Sequence, residues 1–335
     1  MKKIELPREV IVGDDAIYEV RNLVDRLDLG GKSLIMCDPI TKEIAGDEIR
    51  KQLSDEVFVM GDDKKNEFKE ELRHIEHSRV NFLVGVGGGK VIDKTKVLAF
   101  DAGIPYLSVP TAASHDGIAS PRASIVREGN SSLGVHSPLG VIADTKIIRR
   151  APKRLLASGA ADVISNYTAI LDWRLAQKEN HEYFGDYAAA LSMMSARIVM
   201  KNDKKIIGDV SILVEALVSS GVAMGIAGSS RPCSGSEHNF SHSLNQIAKK
   251  PALHGEQCGV GSIIIAYLHN AGWENVRDSL KTIGAPVNAK ELGVSEEEII
   301  NALVTAHKVR KRHTILRGGL TRKKAEEVVK ETGVI

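Results

Sequence analysis

Short, β-branched apolar runs alternate with charged stretches of helical period over the first 150 residues. SLIMC (33–37), VFVMG (57–61), NFLVGVG (81–87) and PYLSVP (105–110) carry the strand pattern, and NEFKEELRHIEHSR (66–79) carries the helical one. Strand and helix alternating at this rhythm predict a parallel sheet covered on both faces. After about Ile148 the strand signals stop. From RLLASGAADVISNYTAILDWRLAQ onward, apolar residues recur at helical spacing. VSEEEII marks a helix start, with Ser295 and Glu298 as a capping box and Val294 and Ile299 as its hydrophobic staple. The pattern therefore predicts an α/β domain over 1–152 and an all-helical domain over 153–335, divided within RRAPKRLL (149–156). A cleft between two such domains is the expected place for a ligand.

Composition narrows the function without setting it. The 335 residues are 43% hydrophobic and 26% charged, with a net charge of +2 and 4% aromatics, which gives no argument for a nucleic-acid or membrane partner. Three cysteines, Cys37, Cys233 and Cys258, form no CxxC, so neither a disulfide framework nor a thiolate zinc site is expected, and a reducing cytoplasm fits. MKKIELPREVIVG has no sustained apolar core of the kind a signal peptide needs. The longest apolar stretch, Ile206 to Ala227, is interrupted by Asp209 and Glu215 and reads as a buried helix rather than a membrane span.

The strand NFLVGVG runs straight into Gly87, Gly88 and Gly89. In a Rossmann-like sheet, nucleotides bind beyond the carboxyl ends of the strands. A glycine turn there accepts positive φ and lets a phosphate approach backbone amides, here those from Gly88 through Ile92. A tight turn without a ligand is the other reading, since neither GxGxxG nor GxxxxGK[ST] is satisfied. A second loop, SVPTAASHDGIASP (108–121), follows the next strand, and Thr111, Ala112, Ala113 and Ser114 are small enough to wrap a cofactor. Asp38 follows SLIMC, where an acid bonds a ribose hydroxyl or caps a turn.

The helical half holds a second chemistry. In SGSEHNFSHSL (234–244), His238 and His242 are one helical turn apart, and Ser234 with Glu237 has capping-box spacing. His254, in KKPALHGEQCGVG, is placed to open the next helix, and Asp162 in GAADVIS is flanked by apolar residues. A carboxylate on a buried face needs a partner. One carboxylate and two imidazoles make an open metal site, with a position left for substrate.

These segments together resemble a known group. GVGGGKVIDKTK, with Asp93 and Lys96, is similar to the GGGxxxDxxK turn of the dehydroquinate synthase-like superfamily, which includes glycerol dehydrogenases and metal-dependent alcohol dehydrogenases. SVPTAAS and LHGEQCGVG resemble its cofactor loop and metal segment. SHDGIASPRASI with SGSEHNFSHSL looks, more narrowly, like the sn-glycerol-1-phosphate dehydrogenase family of archaeal ether-lipid synthesis. The resemblance implies zinc on Asp162, His238 and His254, and substrate contacts from Asp116, His242 and Asp162. It also implies NAD(P)H on Gly87, Gly88, Gly89, Lys90, Val91, Ile92, Asp93 and Thr111 to Ser114, with Ser120 near the nicotinamide. Lys90 departs from the small residue often found after the triplet. The implied reaction is reversible reduction of dihydroxyacetone phosphate to sn-glycerol 1-phosphate by a cytoplasmic homo-oligomer, with Asp116 and His242 as a proton relay. Asp38 would disfavour, and Lys42 would favour, the 2′-phosphate of NADPH. The basic run KVRKRHTILRGG (308–319) reads as a solvated face or subunit contact, with Arg310 or Arg312 at the substrate phosphate as the other reading. A glycerol dehydrogenase, a lyase using NAD transiently, and a nucleotide sensor with a structural metal are the competing expectations.

Overall fold

The structure is a computed structural model that describes residues 4–61, 67–124 and 133–335. The chain forms two compact units, Met1–Pro152 and Lys153–Ile335. In the first, the strands are β1 (Glu9–Gly13), β2 (Ser33–Cys37), β3 (Glu56–Val59), β4 (Phe82–Gly87), β5 (Tyr106–Pro110), β6 (Arg122–Ala123), β7 (Leu133–Gly134) and β8 (Gly140–Asp144). Its helices are α1 (Val20–Arg26), α2 (Pro39–Thr41), α3 (Asp47–Leu53), α4 (Glu67–Ser78), α5 (Gly89–Ala102) and α6 (Thr145–Arg150). Six strands form a parallel sheet in the order β1-β8-β5-β4-β2-β3, and β6 pairs with β7 in a short antiparallel ladder.

The strands are apolar on both faces because helices cover both. Ile35, Val84, Leu107 and Ile142 face Val20, Leu23 and Ile49, whereas Leu34, Leu83 and Tyr106 face Ile75, Val91 and Leu98. Two strands of the six-stranded sheet, and the short β6–β7 ladder, escaped the sequence reading. β1 is only partly buried and carries Glu9, and β8 is a five-residue run with a three-residue apolar centre. Of the expected helix 66–79, Asn66 lies outside the described residues, and Arg79 leaves the helix with φ 49°. The chain leaves β2 towards β3 on one side and leaves β4 towards β5 on the other. Adjacent β2 and β4 therefore flank the switch point at which open parallel sheets receive their ligands.

The second unit contains α7 (Lys153–Asn180), α8 (Asp186–Lys201), α9 (Ser211–Ala227), α10 (Ser236–Ile247), α11 (His254–Leu268), α12 (Trp273–Ile283), α13 (Ala289–Leu292), α14 (Glu296–Thr305) and α15 (Arg322–Glu331). The Ser295–Glu298 capping box forms at α14. The apolar stretch from Ile206 becomes helical only at Ser211. Among the described residues no helix is long and apolar enough to cross a membrane. Helices α7 and α11 meet through small residues: a Cβ on Gly255 would lie 2.0 Å from the Ser158 carbonyl oxygen, and one on Gly259 would lie 3.0 Å from the Ala161 side chain. This close seam brings the middle of α7 against the start of α11.

Candidate active site

Asp162 lies buried in α7, His238 in the first turn of α10, and His254 opens α11. Asp162 Oδ1 is 3.8 Å from Nε2 of both His238 and His254. That is too long for a hydrogen bond. It is close to the roughly 3.4 Å that separates two ligands on one tetrahedral zinc. With Cys258 Sγ, all the potential ligand atoms lie within 4.8 Å of one another. Each imidazole commits Nδ1 to the protein: His238 to Glu237 Oε1 at 3.0 Å, and His254 to Ser241 Oγ at 3.2 Å. Nε2 is left facing the carboxylate, as metal-ligating histidines require. Burial, then the neighbouring His254 and His242, drive the His238 pKa well down, so its imidazole is neutral as a ligand must be. These donors fit a divalent metal.

Sequence reasoning missed Cys258, whose Sγ is 3.6 Å from His254 Nε2. The signal was its position one helical turn after His254, not a CxxC. It also missed Asp172, a fully buried carboxylate that accepts from the Ser236 and Ile315 amides at 2.7 Å each and from His269 Nε2 at 3.0 Å. His269, the next histidine after His254, is therefore engaged away from the ligand group.

His242 stands beside that group, its ring centre 6.4 Å from that of His238 and 5.8 Å from that of His254. Arg310 Nη2 donates to its Nε2 at 2.8 Å, so Nδ1 carries the proton. Arg310 Nη1 donates to Ser234 Oγ at 3.1 Å, and Arg312 donates to the Ser234 carbonyl at 2.5 Å and to Ser230 Oγ at 3.0 Å. The basic run 308–319 is thus not simply a solvated face, because Arg310 and Arg312 fold inward onto Ser234. The expected Ser234–Glu237 capping box does not form. Gly235 is the cap residue, and Glu237 instead accepts from the Gly235 amide and from Thr168 Oγ1. Burial, reinforced by Asp172, pushes the Glu237 carboxyl up to about 7.

Burial, Arg310, His254 and Arg312 lower the His242 pKa to about 3. An unfolded histidine titrates near 6.5, so between these values the unfolded chain binds a proton that the folded chain refuses. Stability then rises with pH, and acidification below about 6.5 costs up to about 1.4 kcal/mol per pH unit from this group. In chelator, denaturant unfolding of the helical unit at pH 6.5 and 5.5 should show a shallower loss for His242→Gln than for the parent. Equal losses would refute the assignment.

In the α/β unit, parallel register aligns the candidate cofactor loops. Cys37 pairs with Val86 and Gly87 with Pro110, so Asp38, the glycine turn and Thr111 all leave the same sheet edge. None of Gly87, Gly88 and Gly89 has positive φ, contrary to expectation. They are required for close approach. A Cβ on Gly87 would sit 2.6 Å from Val91 Cβ, and one on Gly89 would sit 1.8 Å from His115 Nε2, whereas Gly88 opens onto space. Gly88 caps α5, whose first turn presents amides an anion can use. That set ends before Ile92, whose amide already donates to the Gly88 carbonyl at 3.1 Å.

Lys90 is exposed, and Val91 and Ile92 are buried. Thr111, Ala112 and Ala113 are buried, with the Thr111 amide on Gly87 O at 3.0 Å, and Ser114 is partly exposed. Asp38 Oδ1 accepts from the Thr41 amide and hydroxyl, which is the capping arrangement. The Asp93 side chain is turned inward rather than towards a ligand: Oδ1 takes Lys96 Nζ at 3.0 Å and Oδ2 the Ser124 amide at 2.8 Å. Burial opposes its charge, but Lys96, His115 and Ser124 outweigh this and hold its pKa below the usual range. Lys96 also donates to the carbonyls of Gly117 and Arg122, at 2.8 and 2.6 Å, and so fixes the loop that carries Ser120. The Ser120 hydroxyl is buried and donates to Arg122 O at 3.1 Å. Asp116, partly exposed, opens a single 3₁₀ turn through Ile118.

Residues 11–152 match the iron-containing alcohol dehydrogenase family. Among solved structures, a probable glycerol dehydrogenase from Sinorhizobium meliloti 1021 matches with a TM-score of 0.76 at 19% identity, over 99% of this chain and 98% of that one. Sulfoacetaldehyde reductase from Bifidobacterium kashiwanohense matches with a TM-score of 0.75 at 16% identity, again over 99% and 98%. The shared fold is dehydroquinate synthase-like, a parallel α/β unit followed by a helical one. In sequence, the chain is 50% identical to glycerol-1-phosphate dehydrogenase (NAD(P)+) of Methanosarcina mazei, over 100% of this chain and 97% of that protein. It is 49% identical to the Pyrococcus abyssi protein of the same name, over 100% of both. Identity of that degree across the full length shows that the chain belongs to the glycerol-1-phosphate dehydrogenase family of NAD(P)-dependent oxidoreductases.

Proposed function

We propose that this chain catalyses the NAD(P)H- and zinc-dependent, reversible reduction of dihydroxyacetone phosphate to sn-glycerol 1-phosphate, in the cytoplasm, for the backbone of ether lipids. The observation that carries the reading is the full-length identity of about half to glycerol-1-phosphate dehydrogenases. In this reading, residues 1–152 bind the dinucleotide and residues 153–335 hold the metal and the substrate. Asp162, His238 and His254 would hold the zinc. Bound there, zinc supplies Lewis-acid stabilisation of the negative charge that develops on the carbonyl oxygen as hydride is delivered.

The chain's own residues do the rest. Glu237 and Ser241 fix the two imidazoles through Nδ1, and Asp162 contributes the one negative charge among the three ligands. His242 is neutral at physiological pH and offers its proton from Nδ1. It is one proposed substrate contact and proton carrier, and Asp116 is the other. An exposed apolar face on α8, with Tyr187 (87% exposed), Met194 and Ile198 on one side, supports association into a homo-oligomer.

The deciding assay supplies dihydroxyacetone phosphate with NADH or NADPH, with zinc added or chelated, and resolves the enantiomer formed. Stoichiometric cofactor oxidation yielding sn-glycerol 1-phosphate is the expected result. Turnover without net cofactor use, or equal rates on unphosphorylated dihydroxyacetone, would reject the reading. The cofactor assignment has its own test. Because Gly88 faces open space, Gly88→Ala should fold with an unchanged melting temperature yet weaken NAD(P) binding at least about tenfold, by placing a methyl where phosphate must approach. Unaltered cofactor affinity measured by fluorescence titration would move the dinucleotide elsewhere.

A further inference from the structure

We propose that the outer face of α8 is a self-association surface. It pairs with α8 of a second copy of this chain, antiparallel, about a two-fold axis that crosses the helix between Met193 and Met194. This deepens the association proposed above by naming its surface and geometry, and it does not rest on the assigned reaction.

Helix α8 reverses the usual amphipathic arrangement. A helix packed on one side normally turns its large apolar residues inward. The buried face of α8 instead consists of Ala188, Ala189, Ser192, Ser195, Ala196 and Val199, packed against α7 and α9. The large apolar residues are outside: Tyr187 is 87% exposed, Met194 50% and Ile198 39%. At about 3.6 residues per turn, Tyr187, Ala190, Met194, Ile198 and Lys201 share one stripe. Its middle is concave, a groove of about 340 Å³ lined by Ala190, Met193, Met194, Arg197, Ile198 and Lys201. A contiguous exposed apolar stripe marks a surface that another protein covers.

Charge decides what covers it and in which direction. Asp186 begins the helix, Arg197 and Lys201 lie in its last turns, and all three are exposed. Among the described residues none of the three has an ion-pair partner. A parallel pair of such helices would set acid against acid and base against base, which is unfavourable. An antiparallel pair sets acid against base at both ends.

The register follows from the spacing. Asp186 and Lys201 lie equally far from the point between Met193 and Met194, about 11 Å along the axis on either side. A two-fold axis there brings the partner's Asp186 beside Lys201 and Arg197, and repeats the contact at the other end. It sets Met194 against the partner's Met194. It also places the partner's Tyr187 and Ile198 about 3 Å apart along the axis, and Ala190, the small residue, opposite the partner's Arg197. Apolar side chains then fill the middle and the ion pairs sit at the rim, as in stable interfaces. A surface that is its own complement is what a two-fold contact requires.

The test reads mass and cross-linking of the full chain, not turnover. Gel filtration with light scattering should show the parent as a dimer or a larger even assembly. Met194→Glu sets two carboxylates together on the axis. It should raise the dissociation constant of the α8 contact at least about 30-fold, with circular dichroism unchanged. Asp186→Lys and Lys201→Asp should each raise it at least about fivefold, and the two combined should restore it. Cross-linking fixes the register and decides the matter should Met194→Glu misfold. The three native cysteines are buried, so Met194→Cys should form an intermolecular disulfide on mild oxidation. Tyr187→Cys should not, since its two copies would lie about 20 Å apart. A monomeric parent overturns both this proposal and the association proposed above. A parent that associates but ignores the charge variants, or that cross-links through Tyr187→Cys and not through Met194→Cys, overturns the α8 surface and leaves the association standing.

Discussion

Replacing Asp162 with alanine should strip the protein of its divalent metal and lower kcat/KM by about 10³-fold or more, because Lewis-acid stabilisation contributes several kcal/mol and each 1.36 kcal/mol is tenfold in rate. Asp162 is the one carboxylate among the three proposed ligands, and its Oδ1 is the point on which both Nε2 atoms converge at 3.8 Å. Without it, two neutral imidazoles and the Cys258 thiol remain. Metal analysis after dialysis is the direct check. Thermal unfolding adds a second, since a metal bound only by the folded state stabilises that state. The parent should melt lower in chelator, and Asp162→Ala should not respond. Stoichiometric metal retained by the variant would remove Asp162 from the ligand set.

The second large effect belongs to a glycine. Gly255→Ala should destabilise the helical unit by about 3 kcal/mol, the upper range for overpacking a tight interface, and weaken zinc binding at least about tenfold. The added methyl would lie 2.0 Å from the Ser158 carbonyl oxygen and 2.7 Å from its carbon. Both atoms are backbone, so no side chain can swing aside. One of the two helices must move, and they are the helices that carry Asp162 and His254. Denaturant unfolding and zinc titration on the same preparation check this. Lost stability with unchanged zinc affinity would show that the α7–α11 seam does not set the spacing of the ligands.

What the sequence made legible follows from what acts locally. β2, β4 and β5 are buried on both faces, so their apolar runs stand out, whereas β1 is only partly buried and its apolar run, Val10 to Val12, is three residues long. His254 was placed at a helix start, and α11 does begin there. Asp162 was singled out as an acid among apolar neighbours. Asp172 has a similar setting in AILDWR but was passed over, since its partners lie 64, 97 and 143 residues away. Ser234 and Glu237 had capping-box spacing, but Arg310 and Arg312 claim Ser234 from far along the chain. The same two arginines turn inward within the run 308–319, which looked solvent-facing in the sequence. At the glycine turn one of the two reasons read for glycine, positive φ, does not hold. Crowding by Val91 and His115, rather than backbone handedness, excludes a side chain at Gly87 and Gly89.

Asp172 ties the two ends of this arrangement together, one oxygen taking the amide that begins α10 and the other the amide of Ile315. Neither segment can loosen without releasing a proton donor from a fully buried carboxylate. The amide protons of Ser236 and Ile315 should therefore exchange with deuterium at a shared rate, as one opening unit, although 79 positions of chain separate them.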